Sequence, residues 1–202
     1  MKFLQSPAQP NVYVVRHGET AWSVTGQHTG LTDLALTPQG EEQARALAGR
    51  LRGVSFAQVF SSPLQRARRP CALAGCANIV ELEADLVEWN YGDYEGRTLA
   101  EIHALNPKWE LFRDGCPGGE SVAQITARVD RIVLRLRALE GNVLIFSSGH
   151  VLRVLAARWL EADAALGRNL VLDPAAVSVL GYDHHAADRV IRRWNQSPRE
   201  AG

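Results

Sequence analysis

An arginine and a histidine follow directly after the first apolar stretch of the chain, in the segment VYVVRHGETAW at residues 12–22. Residues 12–15 are apolar at consecutive positions, which predicts a short strand covered on both faces, as in a parallel sheet. Ligands of open parallel sheets bind beyond the carboxyl ends of the strands. Arg16 and His17, a fixed positive charge and a titratable ring, are therefore expected at a ligand-binding edge.

Two further predicted strands end in short polar stretches, SS at residues 61–62 and SSGH at residues 147–150. The helices that should follow them start at Ser62 and Gly149, where free N–H groups and the helix dipole favour an anion. Arg66 lies one turn into the first of these helices and can face the same crevice. Two arginines, a histidine and two helix starts thus converge by topology, which outlines a phosphate pocket.

The elements that must position these residues alternate between strand and helix along the chain. Helices are predicted over residues 37–53, 62–75, 98–105, 120–141 and 149–160, and strands over 12–15, 58–60, 142–148, 177–185 and 189–195. The segment at 78–96 is expected to begin as a strand and to continue as an irregular, aromatic stretch. Such alternation predicts right-handed crossovers and a mainly parallel sheet. The segments at 23–40 and 109–120 are expected to be irregular. The predicted fold class is α/β, with a single domain over residues 1–202.

The composition excludes several classes of function. The chain has 202 residues, and 22 Lys and Arg balance 22 Asp and Glu, so the formal net charge is zero. A balanced charge argues against a general nucleic-acid or anionic-membrane surface. No apolar run approaches the roughly 20 residues that span a bilayer, and the N-terminal stretch lacks the apolar region of a secretory signal. We therefore expect a cytoplasmic protein without nucleic-acid or membrane partners.

The sequence also lacks the marks of a metal site. Cys71, Cys76 and Cys116 form an odd set without C-x-x-C spacing, and we interpret them as reduced thiols that pack in the interior. The chain has no carboxylate-rich cluster. Its one run of closely spaced ligand types, at residues 183–185, is more consistent with the end of an edge strand. No metal and no cofactor are predicted.

Several motifs together resemble the histidine phosphatase superfamily, which includes phosphoglycerate mutases and histidine acid phosphatases. The likeness starts in VVRHGETAW and continues in order through SSPLQRAR, EWNYGDYEG and SSGHVLR. The segments TGQHTGLTDLALTPQG, FRDGCPGGES and VLGYDHH resemble the short branch that contains sedoheptulose bisphosphatase and related broad acid phosphatases. This resemblance implies a phosphoglycerate mutase-like fold, a three-layer αβα sandwich around a mainly parallel mixed sheet.

The resemblance also implies catalytic roles. His17 would be the nucleophile, attacking phosphorus through a neutral ring nitrogen to form a phosphohistidine. Arg16 and Arg66 would hold the oxygens of the transferred phosphoryl group. Glu88 would protonate the leaving alcohol and then act as base for the attacking water.

Further positions match family residues around the substrate. The matches that would line the phosphate site are Ser23, Thr29, Gly30, Ser62, Gly149 and His150, the last through its backbone N–H. Loop capping is an equally good explanation for the first four. Arg153 and His184 could meet a second phosphate or a sugar hydroxyl, although Arg153 could also be an exposed helical arginine.

One position departs from the family pattern. The superfamily has a second catalytic histidine at the end of its fourth strand, and alignment on Gly149 and Arg153 places Ser148 there. Serine is shorter and uncharged, so it cannot make the same phosphate contact. We predict weakened catalysis with phosphate binding largely kept. A deliberate substitution, a naturally slow enzyme and compensation by His150 all remain open.

The leading functional hypothesis is a phosphomonoester hydrolase for small phosphorylated metabolites, with sugar phosphates or bisphosphates favoured. A phosphoglycerate mutase is an alternative, disfavoured because the segment at 109–120 is compact where the larger mutases carry a longer insertion. The third hypothesis, motivated by Ser148, is an inactive domain that only binds phosphometabolites. The expected partner is a small phosphate ester. An edge strand or helix face could form a homodimer, but nothing in the sequence requires one.

Overall fold

The computed structural model describes residues 11–183 and 188–197. Its strands are β1 Val12–Arg16, β2 Gln58–Ser61, β3 Val80–Leu82, β4 Val143–Ser147, β5 Val177–Tyr182 and β6 Arg189–Gln196. They form one sheet in the order β3-β2-β4-β1-β5-β6. Strands β1 to β4 run parallel to one another, whereas β5 is antiparallel to β1 and β6 to β5. The prediction of a mainly parallel mixed sheet is confirmed.

Helices lie between the strands. The α-helices are α1 Ala21–Thr25, α2 Pro38–Arg50, α3 Gln65–Leu73, α4 Leu99–Leu105, α5 Leu111–Asp114, α6 Val122–Arg137 and α7 Gly149–Trp159. Short 3-10 helices lie at Ala84–Leu86, Gly92–Tyr94 and Ala164–Asn169. The four longest α-helices, α2, α3, α6 and α7, lie inside the ranges that the sequence predicts.

Helices cover both faces of the sheet. On β1, Val14 packs into a core that includes α6 and α7, while its neighbour Val15 packs against α2 and α3. On β4, Ile145 packs into the core that includes α6 and α7, and Phe146 packs into the core that includes α2 and α3. Because adjacent strand residues point to opposite faces, a strand buried on both faces must be apolar at consecutive positions. This confirms the three-layer αβα arrangement.

The strand register brings the polar ends of three strands to one edge. Arg16 at the end of β1 pairs with Ser147 of β4, and Ser61 at the end of β2 pairs with Phe146. The chain leaves all three strands on the same side of the molecule. The edge predicted from the polar stretches is therefore present.

The helix predicted to start at Ser62 begins three residues later, at Gln65. Leu64 is extended and provides no side-chain cap, and the Gln65 N–H donates to the Asp33 carboxylate at 2.8 Å instead. A cap from a distant loop thus replaces the local Ser-Pro start, which the sequence pattern alone could not show. The predicted helix start at Ser62 is therefore wrong, while the predicted phosphate contact of Ser62 stays a prediction.

The two segments expected to be irregular each contain a short helix. Helix α1 is fixed by a capping box, in which the side chains of Thr20 and Ser23 each accept a hydrogen bond from the other residue's backbone N–H. Helix α5 is capped by the Glu110 carboxylate. Both are shorter than two turns, so no apolar periodicity announces them in the sequence.

Candidate active site

A cleft of about 240 Å³ lies at the carboxyl ends of β1 and β4. Three of the predicted catalytic residues line it, Arg16, His17 and Glu88. Five of the predicted binding residues also do so: Ser23, Thr29, Gly149, His150 and Arg153.

The ring of His17 is buried, and its Nδ1 lies 2.7 Å from the Gly18 carbonyl oxygen. Because a carbonyl only accepts hydrogen bonds, Nδ1 carries the proton and Nε2 keeps its lone pair. Burial lowers the pKa of His17 well below its ordinary value, and the charges of Arg16 and Arg66 lower it further. The ring is therefore neutral near pH 7 and has a free Nε2.

The guanidinium of Arg16 is held next to His17 and has one buried nitrogen, Nε, without a partner in the described chain. Its Nη1 donates to the Leu172 carbonyl at 2.5 Å. Its Nε is buried and has no hydrogen-bond partner within residues 11–183 and 188–197. The space beside Nε is kept open by Gly149, where a Cβ atom would lie 3.3 Å from that nitrogen. A buried cationic N–H without a partner is costly, so an anionic ligand would be stabilised here.

Arg66 is fully buried behind the cleft and does not line it. Its Nη1 and Nη2 donate to the carbonyls of Thr29, Gly30 and Thr32, at 3.1, 2.6 and 2.8 Å respectively, and its Nε donates to the Ser148 hydroxyl at 3.3 Å. Four of its five N–H groups are thus used within the protein. Its predicted phosphate contact stays a prediction, with one N–H available for it.

The carboxylate of Glu88 is buried at the N-terminus of α7. One oxygen accepts from the N–H groups of Trp89 and Val151 at 2.9 and 2.8 Å, and the other accepts from the His150 N–H at 2.9 Å. This helix start was predicted to bind the substrate anion through Gly149 and His150. A carboxylate of the protein occupies the position that the helix dipole favours, and the substrate contact of the His150 N–H stays a prediction.

Arg153 of α7 also lines the cleft. Its Nε and Nη2 donate to the carbonyls of Gly167 and Arg168 at 2.7 and 2.8 Å, and its guanidinium lies 4.9 Å from the centre of the Phe112 ring. It is therefore held in place and lines the cleft, in contrast to an exposed helical arginine. His184, its predicted companion, lies outside the described residues.

Comparison with known proteins identifies the family. The family model for the histidine phosphatase superfamily, branch 1, matches residues 12–197. The chain belongs to the histidine phosphatase superfamily.

The relatives of this histidine phosphatase carry enzyme names. An acid phosphatase of Mycobacterium tuberculosis is 40% identical over 176 residues, covering 85% of this chain and 86% of that protein. A sedoheptulose 1,7-bisphosphatase of Saccharomyces cerevisiae is 39% identical, with 89% of this chain and 90% of that protein covered. A solved structure of an open reading frame product from Mycobacterium tuberculosis matches with a TM-score of 0.87 at 36% identity, covering 94% of this chain and 98% of that chain.

More distant relatives have a different name. A probable phosphoglycerate mutase of Erwinia tasmaniensis is 33% identical, covering 91% of this chain and 89% of that protein. Family membership is thus consistent with a histidine phosphatase, while the substrate is left open. Within the part of the chain that the structure describes, no helix is long and apolar enough to span a membrane.

Ser148 of this histidine phosphatase lies beside Arg66 and away from the cleft wall. Its side chain is buried and makes no cap for α7, although Ser148 occupies the N-cap position. Its hydroxyl accepts a hydrogen bond from Arg66 Nε at 3.3 Å. The ring of His150, in contrast, contacts Tyr91 and Phe112. The two side chains therefore occupy different places, and the structure does not bring His150 to the position of Ser148.

The remaining predicted residues mostly make local contacts. The Ser23 hydroxyl completes the capping box of α1 by accepting from the Thr20 N–H at 2.9 Å, and Thr29 donates to the Gln27 carbonyl at 3.4 Å. Both residues also line the cleft. The Gly30 N–H donates to the Glu95 carboxylate at 2.9 Å, and the buried Ser62 hydroxyl accepts from the Leu64 N–H at 3.4 Å. Gly30 and Ser62 do not line the cleft.

Several residues at the site were not predicted from the sequence. Thr20, Gln27, His28 and Leu172 also line the cleft. His28 lies between glycines and threonines in a segment that shows no periodicity, so only its residue type could have marked it. Its ring packs on Tyr91, with 4.8 Å between ring centres.

A buried arginine on α6 supports the loop that carries Glu88. Arg128 donates to the carbonyls of Asp85 and Val87 at 2.6 and 2.7 Å. It also forms two hydrogen bonds with the Glu120 carboxylate, at 2.9 and 2.7 Å. Such bidentate pairs are geometrically specific. The loop is therefore fixed from the helix behind it, by a residue that the helical pattern of α6 did not distinguish.

No metal site is found in the described part of the chain. No group of three or more His, Cys, Asp or Glu side chains there could hold a metal ion. The three cysteines are free and buried, and they pack in the interior as expected. The prediction that the reaction uses no metal and no cofactor stays a prediction.

The buried neutral state of His17 predicts a pH dependence of stability. Below its ordinary pKa of 6.5, the unfolded chain binds a proton on this ring that the native protein does not bind. The free energy of unfolding should therefore fall as the pH decreases from this value towards the lowered pKa, by about 1.4 kcal/mol per pH unit. Denaturant unfolding in phosphate-free buffer measures this slope.

His17→Asn provides the comparison, since it removes the titrating ring. The free energy of unfolding should depend less steeply on pH in the variant than in the protein as it stands. The difference between the two slopes should be about the contribution of one histidine. Equal slopes for the two proteins would show that His17 titrates alike in the folded and unfolded states.

Proposed function

We propose that this protein is a phosphomonoester hydrolase that acts on small phosphorylated metabolites, sugar phosphates or bisphosphates, through a phosphohistidine on His17. One observation carries the proposal. The unprotonated Nε2 of His17 lies in the same cleft as the buried Arg16 Nε, which lacks a hydrogen-bond partner in the described chain. A nucleophile beside an unsatisfied cationic donor suits the phosphorus and the oxygens of a phosphoryl group.

The first step transfers the phosphoryl group to the enzyme. His17 Nε2 attacks phosphorus, an N–P bond forms, and the bond between phosphorus and the ester oxygen breaks. Glu88 supplies the proton that the departing oxygen needs. The charges of Arg16 and Arg66 stabilise the phosphoryl oxygens in a preorganised way, because both guanidinium groups are already held by the protein.

The second step releases phosphate. A water molecule attacks the phosphorus of the phosphohistidine, the N–P bond breaks, and the water's proton passes to Glu88. The enzyme returns to its starting state with His17 neutral and Glu88 again able to donate. Covalent catalysis of this kind divides one difficult displacement into two easier ones.

The relatives and the size of the cleft support the proposed substrate class. Relatives are named acid phosphatase and sedoheptulose 1,7-bisphosphatase. The cleft of about 240 Å³ suits a small metabolite. Arg153, which is held in place and lines the cleft, could bind a second anionic group.

Phosphate release from a panel of sugar mono- and bisphosphates, with EDTA present, tests the proposal. We expect release by the protein as it stands and the best rate on one of the sugar phosphates. Conversion of 3-phosphoglycerate to its 2-isomer with primer bisphosphate, without net release, would support the mutase instead. Absence of all turnover, with phosphate still bound, would support the binding domain.

The position of Ser148 makes a separate prediction about rate. Loss of one preorganised donor typically costs on the order of a hundredfold or more in kcat. Ser148→His should therefore raise kcat by about a hundredfold. Phosphate affinity should change much less, because Arg16 is untouched. Steady-state kinetics and calorimetric phosphate titration measure both, and equal kcat values would show that the serine costs nothing.

A further inference from the structure

The ring of His150 forms a pair with Tyr91 on one wall of the cleft. The Tyr91 hydroxyl lies 2.5 Å from Nδ1 of His150, and both residues line the cleft. The ring is also enclosed by Phe112, with 5.6 Å between ring centres, and is stacked parallel to His28 at 6.2 Å. Its orientation is thus fixed by three neighbours.

The proton positions in this pair follow from the surroundings. Burial raises the pKa of Tyr91 well above its ordinary value, with Glu88 adding to the effect, so the phenol keeps its proton. Burial lowers the pKa of His150 well below its ordinary value, and Arg153, His28 and Arg16 lower it further. The ring is therefore neutral. The Tyr91 hydroxyl makes no other hydrogen bond within the described residues, so its proton is satisfied by donation to Nδ1, and the ring proton of His150 then lies on Nε2.

Nε2 of His150 is a donor without a described protein acceptor, on a residue that lines the cleft. The backbone N–H of the same residue donates to Glu88, the proposed proton donor to the leaving oxygen. The His150 ring therefore projects from the turn that fixes Glu88. If Glu88 protonates the leaving oxygen, as proposed above, that turn would adjoin the alcohol part of a bound ester.

We propose that His150, oriented by Tyr91, is a specificity-determining residue that donates an Nε2–H hydrogen bond to an oxygen of the substrate's alcohol part, next to the ester oxygen. The substrates selected would be phosphate esters with a hydroxyl on the carbon beside the phosphorylated one, as in polyol and sugar phosphates. This inference rests on the proposed phosphatase function and narrows its substrate class. Tyr91 acts only through His150, as a positioning residue.

A pair of substrates that differ in hydroxyls tests the inference. Glycerol 3-phosphate carries the neighbouring hydroxyl, and n-propyl phosphate lacks it. We expect kcat/KM to favour glycerol 3-phosphate by about tenfold or more, because a site built to bind a hydroxyl disfavours the analogue without one. His150→Phe keeps a ring but removes the donor, and it should abolish this preference.

Tyr91→Phe distinguishes positioning from packing. It should reduce the preference by about threefold, the order of one neutral hydrogen bond. In the His150→Phe background it should have no further effect on the preference, because the ring that Tyr91 orients is gone; a packing role would give additive losses. Tyr182→Phe is the matched control, since that phenol lies on β5 against Trp159 and does not line the cleft.

The outcomes separate this inference from the function on which it rests. Equal kcat/KM values for the two substrates, or equal losses on both in His150→Phe, would overturn the inference and leave the phosphatase intact. No turnover of any ester by the protein as it stands would overturn the proposed function and the inference together. Thermal unfolding of each variant checks that the fold is kept.

Discussion

His17→Ala is expected to abolish phosphate release, with a fall in kcat of about ten-thousandfold or more, the order seen when a covalent nucleophile is removed. The other two histidines that line the cleft are not expected to take its place as nucleophile. His150 is held by the Tyr91 hydroxyl, and His28 packs on the Tyr91 ring. Release of phosphate from the best sugar phosphate measures the loss.

Binding should survive this substitution. Arg16 keeps its contact with Leu172 and its free Nε in His17→Ala, so orthovanadate or phosphate should still bind with an affinity within about tenfold of that of the unaltered protein. His103→Ala is the matched control, because that ring lies on α4 and contacts the Trp109 carbonyl outside the cleft. Residual turnover in His17→Ala near the original rate would show that another group is the nucleophile.

Glu88→Gln is expected to slow the release of an alkyl alcohol far more than the release of a phenol. A sugar alkoxide is a poor leaving group without a proton donor, so kcat for sugar phosphates should fall by about a hundred- to ten-thousandfold. A nitrophenolate leaves readily as an anion, so the fall for an aryl phosphate should be much smaller. The ratio of the two rates does not depend on the fraction of folded enzyme.

The comparison of sugar and aryl phosphates is needed because Glu88→Gln also removes hydrogen bonds that stabilise the fold. The Glu88 carboxylate accepts three backbone N–H groups, and an amide nitrogen cannot accept, so some loss of stability is expected. Glu42→Gln on the exposed face of α2 controls for loss of a carboxylate elsewhere. Equal falls for the two leaving groups would contradict the role of Glu88 as proton donor.

The end of β1 illustrates what the sequence could predict. A run of apolar residues that ends in Arg16 and His17 has few interpretations, because burial on both faces requires a covered parallel strand and the next residues must leave its carboxyl end. The same reasoning located Ser61 and Ser147. These inferences depend only on local pattern and on rules for parallel sheets, and the strand register confirms them.

The features that the sequence did not predict have a common cause, which is contact between residues distant in the chain. The start of α3 is set by Asp33, over thirty residues away, and the N-terminus of α7 is occupied by Glu88 from a separate loop. Arg128 looked like one polar position on an amphipathic helix, yet it supports that loop. Local sequence pattern predicts a free helix start, but it cannot show which side chain folds back onto it.

The central claim is that His17 carries the phosphoryl group during turnover. Its most direct test is intact-protein and peptide mass spectrometry after rapid alkaline quench of the enzyme with excess substrate. The account predicts one added phosphoryl group on His17, lost after mild acid treatment and absent from His17→Ala. Turnover with His17 unmodified, or with the phosphoryl group on another residue, would contradict it.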